Sequence, residues 1–274
     1  MFSEIARIVR VAGIVILGLG IFISAFRWVA VRATGIPVKI ERSLPEQFIV
    51  FMDPFHNKSQ TARENLNELL SKKIKCFADD VIPSLWLHAG TASGRQAASA
   101  SAEVITKNPN YLSEDEFATD FKDKILKSGL PIVIEVHQSL EQHILAQSKK
   151  LLEIFPKAVF YNHFHKINDK IVRLNPQLKF ASHQAGLIKN QLYLQLNVVD
   201  PSLTRFEFFL IDKRNLDLLS HQMLEKIKSL NVRLVLNEPN ISMDELVELK
   251  AKGSISGYVT GAPSQSHSSP CQYE

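Results

Sequence analysis

From Phe48 to Thr260 short apolar runs alternate with amphipathic stretches, and this alternation restricts the chain to few folds. Phe48-Ile49-Val50-Phe51-Met52, ended by Asp53-Pro54, reads as a buried parallel strand. Further strands are expected over 75–80, 84–88, 131–136, 158–161, 178–182, 206–211, 232–236 and 255–260. Between them leucine and isoleucine recur at helical spacing, over 62–72, 113–127, 140–155, 167–174, 216–230 and 242–252. Ser113-Glu114-Asp115-Glu116 has the acidic first turn of a capped helix, and Gly129 closes it.

Strand–helix alternation of this kind builds a parallel sheet with right-handed crossovers. About eight such units over roughly 220 residues match a single (β/α)₈ TIM-type barrel. An open doubly wound sheet is the alternative. No glycine-rich phosphate loop follows the first strand, which disfavours a nucleotide fold. Apolar residues at 45% and charged residues at 22% exclude a wholly disordered chain and a polytopic membrane protein.

The first 36 residues differ from the rest. Val11 to Phe26 carries no charge and would span roughly 24 Å as a helix at about 1.5 Å per residue. Trp28 to Val31 extend the run, so a single-pass N-terminal membrane anchor is expected, with a cleaved signal peptide as the alternative. Arg27, Arg32, Lys39 and Arg42 outnumber Arg7 and Arg10, which favours a cytoplasmic barrel, whereas an uncleaved signal-like anchor would place it outside. The net charge of +4 comes partly from these flanking arginines and does not point to nucleic acid. The expected organisation is an anchor with its flank over 1–36, a barrel over 37–263, and a disordered polar tail over 264–274. Two cysteines, Cys76 and Cys271, are too few for a disulfide scaffold, and Cys76 reads as a small buried apolar residue.

Six segments resemble, in order, motifs of the glycerophosphodiester phosphodiesterase family. They are Arg63-Glu64-Asn65-Leu66, Phe77-Ala78-Asp79-Asp80-Val81, Leu87-His88-Ala89, Ile132-Val133-Ile134-Glu135-Val136-His137, Val235-Leu236-Asn237, and Gly253 to Pro263. The resemblance covers about Phe48 to Pro263. It implies a TIM barrel that hydrolyses glycerophosphodiesters or lipid headgroups with two histidines and a carboxylate-held Mg²⁺ or Ca²⁺. A phosphodiester gains negative charge as its bond breaks, which a hard cation offsets, while histidines move the protons.

By this resemblance Asp80 and Glu135 are the metal ligands, His88 is a catalytic histidine, and His137 and Asn237 contact substrate. The family's first-strand H-R-G falls either on Met52-Asp53-Pro54 or on His56-Asn57-Lys58. The second placement makes His56 the other catalytic histidine, and the first leaves Asp53 as a replacement carboxylate. Ala78, Ala89 and Gly261 stand where the family has carboxylates, so an inactive barrel serving as a binding or scaffold protein at the membrane is the alternative. His163 and His165 read as ordinary polar residues at a strand–helix junction, because a metal site needs further ligands.

Overall fold

A computed structural model of the chain describes residues 18, 42–55, 62–90, 111–189, 201–238, 241–261, 263 and 269–274. Eight parallel strands close into a barrel in the order β1 (Phe48–Asp53), β3 (Val81–Ala89), β4 (Ile132–Val136), β5 (Val159–Tyr161), β6 (Lys179–His183), β7 (Phe209–Ile211), β8 (Leu234–Asn237) and β9 (Gly257–Gly261). β9 pairs back onto β1, with Asp53 opposite Gly261. The closed order decides against the open sheet.

Alternate residues of each strand face opposite sides, and the two sets are packed separately. Ile49, Phe51, Trp86, Val133, Val159 and Tyr161 belong to the cluster that fills the barrel. Val50, Met52, Leu85, Leu87, Ile134 and Phe160 belong to the other, which the helices cover. Those helices are α1 (Ala62–Ser71), α2 (Glu114–Glu116) running through a π-helical turn at Phe117–Phe121 into α3 (Lys122–Ser128), α4 (Glu141–Ile154), α5 (His165–Leu174), α6 (Gln184–Lys189), α7 (Lys213–Asp217), α8 (His221–Ser229) and α9 (Met243–Ala251).

Two features flank the end of the barrel where the strands begin. Leu44 joins the interior cluster just before β1, and its carbonyl accepts from Arg233 Nη1 at 3.3 Å. Beside it, the Ser43 amide donates to the buried Glu207 at 2.7 Å. The second feature lies outside the barrel. β2 (Ile74–Cys76) pairs antiparallel with β10 (Cys271–Tyr273), and Cys76 is joined to Cys271 by a disulfide.

Two sequence expectations change here. The strand expected over 75–80 is only the short β2, and the barrel strand starts at Val81 and runs unbroken through Pro83. The polar tail expected from Ser264 instead ends in a strand, held by the disulfide and by a backbone bond from Glu274 to Lys73. The pattern could not show this, because a three-residue strand with one polar and one aromatic residue has no legible period. The anchor expected over 1–36 lies outside the described residues apart from Gly18. Among the described residues no helix is long and apolar enough to cross a membrane.

Candidate active site

Strand parity decides which side chains reach the barrel mouth. Asp53, His88, Glu135 and His163 each lie two residues beyond an interior core residue: Phe51, Trp86, Val133 and Tyr161 respectively. Each therefore continues an inward-facing row at a strand's C-terminal end. Register aligns them, with His88 opposite Glu135 and Glu135 opposite Tyr161. His137, two residues beyond Glu135, continues the same row.

These rows converge. His88 Nδ1 lies 2.8 Å from His137 Nε2, which lies 3.5 Å from Glu135 Oε1. One ligand atom from each of His88, Glu135 and His137 falls within 4.8 Å of the others. Around this trio stand groups that orient it. His88 Nε2 is 3.2 Å from Asp53 Oδ2. The buried Trp86 indole donates to Glu135 Oε2 at 3.0 Å. His163 Nε2 is 2.9 Å from Glu135 Oε1, and its Nδ1 is 3.3 Å from the Tyr161 hydroxyl. Tyr111 lies against the His137 ring at 4.2 Å between centroids, and Phe55 against His88 at 4.9 Å.

The charges follow from this packing. Burial alone would raise the Glu135 carboxyl, but the His163 hydrogen bond and the charges of His88 and His137 hold it down at about 2. Glu135 is therefore an anion at neutral pH. Burial pushes His137 down to about 4 against the pull of Glu135, so its ring is neutral at neutral pH. Burial also opposes charge on His88, but Asp53 outweighs it and raises that ring. His163 is raised by its hydrogen bond to Glu135.

The sequence-derived residues divide accordingly. His88, Glu135 and His137 come together. Asn237 ends β8 at the same rim, exposed. His56 lies outside the described residues, but Asp53 does supply a carboxylate at the first strand. Asp80 is a correction. It precedes β3 at the opposite end of the barrel, about 26 Å along the strand from His88. There it is exposed and accepts from Lys250 Nζ at 2.7 and 2.9 Å. The sequence expectation puts Asp80 at the end of a strand over 75–80, whereas it precedes the strand that starts at Val81.

His163 is the residue that sequence reading passed over. The signal was available as strand parity: Val159, Tyr161 and His163 form one inward row. Its neighbour His165 opens α5 and bonds to Ser182 on β6, so the two histidines do not share a site. Of the remaining resembling segments, Asn65 is buried and donates to the Pro54 carbonyl at 3.0 Å, tying the start of α1 to the loop after β1.

No family model matches the sequence, and no curated protein is detectably similar to it. Solved structures are similar in fold. A glycerophosphodiester phosphodiesterase from Parabacteroides distasonis is 8% identical, with 81% of this chain and 96% of that chain covered and a TM-score of 0.49. An Oleispira antarctica phosphodiesterase in complex with the product sn-glycerol-3-phosphate is 10% identical, with coverage of 78% and 93% and a TM-score of 0.46. Haloferax volcanii malate synthase, in a magnesium and glyoxylate complex, is 11% identical, with coverage of 82% and 74% and a TM-score of 0.45. A fold does not fix a function, so the activity of this chain is argued from its site.

Proposed function

We propose that this chain is a metal-dependent phosphodiesterase acting on glycerophosphodiesters or lipid headgroups. The observation that carries the reading is the convergence of His88, Glu135 and His137 at the barrel mouth. Two imidazoles and an ionised carboxylate with ligand atoms within 4.8 Å of one another are a donor set for a divalent cation. The ordered resemblance of six segments to glycerophosphodiester phosphodiesterase motifs supplies the substrate class.

When bound, the cation would offset the charge that builds on the phosphoryl oxygens. The chain's own groups do the rest. Glu135 and His137 face the mouth from one strand and His88 from its neighbour. Asp53 holds the His88 ring through Nε2, and Trp86 holds the carboxylate through Oε2. Hydrolysis adds water across the P–O bond: His163, exposed at the rim and outside the trio, gives the proton on Nε2 to the leaving alkoxide as that bond breaks, and the proton lost by the attacking water returns the imidazole to its starting state. Turnover of glycerophosphoethanolamine by the full chain tests the proposal. Hydrolysis lost on chelation and restored by a divalent cation supports it. A metal-loaded chain that hydrolyses no phosphodiester would sink it.

We also propose that residues 1–36 anchor the chain with the barrel on an oxidising side of the membrane. The Cys76–Cys271 disulfide supports that side over the one favoured by the arginine count, since disulfides persist where thiols are not kept reduced. Protease digestion of intact cells is the check: barrel fragments only after lysis would place it inside and end this reading.

A further inference from the structure

We propose that the ion held by His88, Glu135 and His137 is a borderline transition metal of the zinc class rather than Mg²⁺ or Ca²⁺. This deepens the proposed function and rests on its reading of the trio as a cation site. The argument begins with donor type. Ca²⁺ takes six to eight oxygens, and Mg²⁺ prefers oxygen ligands and retained waters. The trio offers two imidazole nitrogens and one carboxylate oxygen. Asp80, which would have supplied a second oxygen, lies at the other end of the barrel. Imidazole suits zinc and its first-row neighbours, and three protein ligands with a position left open are the pattern of a catalytic zinc site.

Geometry agrees. Zinc–ligand bonds of about 2.0–2.1 Å place neighbouring donors about 2.8–3.4 Å apart for angles between right and tetrahedral. The His88–His137 separation of 2.8 Å lies at the lower limit of that range, and the His137–Glu135 separation of 3.5 Å lies just beyond the upper one. The trio is also held from outside in the way of a metal centre. Asp53 accepts from His88 Nε2, which leaves Nδ1 as the ligating nitrogen, and Trp86 occupies Glu135 Oε2, which leaves Oε1 facing both His137 and the His163 Nε2 that bonds to it. Such carboxylate–histidine pairs fix ring and tautomer for the ion. No part of this requires an oxygen-rich cage.

The test is calorimetric titration of the full chain, stripped by chelator, with Zn²⁺, Mg²⁺ and Ca²⁺ separately. The absorption spectrum of the Co²⁺-loaded chain is the second readout. Zinc is expected to bind at one ion per chain, at least about 100-fold tighter than Mg²⁺ or Ca²⁺, with Co²⁺ giving the intense visible bands of a low-coordinate site. His137→Gln and Glu135→Gln should each weaken zinc at least tenfold, and Asp53→Asn by about 10–100-fold. Asp80→Asn should change nothing. Should a trio variant fail to fold, displacement of Co²⁺ by zinc in the unaltered chain still reports the site. Mg²⁺ or Ca²⁺ binding as tightly as zinc, or zinc binding indifferent to His137→Gln, would overturn the assignment. Zinc binding without phosphodiester turnover would remove the functional reading and support the metal. Turnover with Mg²⁺ in a chain that ignores zinc would do the reverse.

Discussion

Asp53 Oδ2 lies 3.2 Å from His88 Nε2, joining the last residue of β1 to the inward row of β3. Asp53 thus acts on the mouth through a histidine it orients. Asp53→Asn keeps the shape but removes the charge that favours this ring orientation. Phosphodiester turnover should fall about 10–100-fold, the usual effect of losing an outer partner of a metal ligand. Added cation should recover part of it. An unchanged rate and metal affinity would show that the contact is incidental.

The disulfide should matter to stability more than to chemistry. Cys76 and Cys271 are 195 residues apart in sequence, so the bridge closes a loop containing nearly the whole barrel. A cross-link over so long a loop restricts the unfolded chain by about 2–5 kcal/mol. Thermal unfolding with and without reductant checks this, as does the double variant Cys76→Ser with Cys271→Ser. The expected result is a melting temperature lowered by several degrees; equal melting curves would contradict it.

Gly257 begins β9 where the barrel closes. A Cβ there would lie 2.7 Å from the Ile49 carbonyl oxygen, which is backbone and has no rotamer to change. Gly257→Ala should therefore destabilise the barrel by about 1–3 kcal/mol, as overpacking does. Denaturant unfolding measures it, and a neutral result would mean that β1 and β9 separate easily.

Glu116 gives a pH signature remote from the site. It closes a capping box with Ser113 and pairs with Arg63 on α1. Burial raises its carboxyl, but the Ser113 amide and Arg63 outweigh burial and hold it below its ordinary 4.5. An acid depressed in the folded state binds fewer protons there than when unfolded, so its contribution is present above that ordinary value and is lost as pH falls through the folded one. Glu116→Gln should cost about 1 kcal/mol at neutral pH, the size of a helix cap, and its deficit should shrink in acid. Melting temperatures of both chains across that range decide it; a deficit that grows in acid would reverse the sign.

The barrel was legible because its strands are apolar on both faces. Ile132–Val136 needs no context to be read as a buried strand. Errors arose where short-range pattern and topology part. The strands expected over 75–80 and 84–88 leave a gap at 81–83, yet Val81 opens a nine-residue strand that runs through Pro83. The motif resemblance located Glu135, His88 and His137 because these end strands. It misplaced Asp80, which precedes one. His163 was visible only through parity with Val159 and Tyr161, and its partner Glu135 is 28 residues away on another strand.

The most direct test compares two carboxylates that the resemblance treated alike. Glu135 sits in the buried mouth beside three histidines, and Asp80 sits exposed at the far end against Lys250. Glycerophosphodiester hydrolysis should be measured for Glu135→Gln and Asp80→Asn in the full chain, both confirmed folded. Glu135→Gln is predicted to lose about 10²-fold or more, the scale of removing an essential charge-stabilising group, while Asp80→Asn stays within about twofold of the original. Loss of turnover in Asp80→Asn with activity retained in Glu135→Gln would contradict the account.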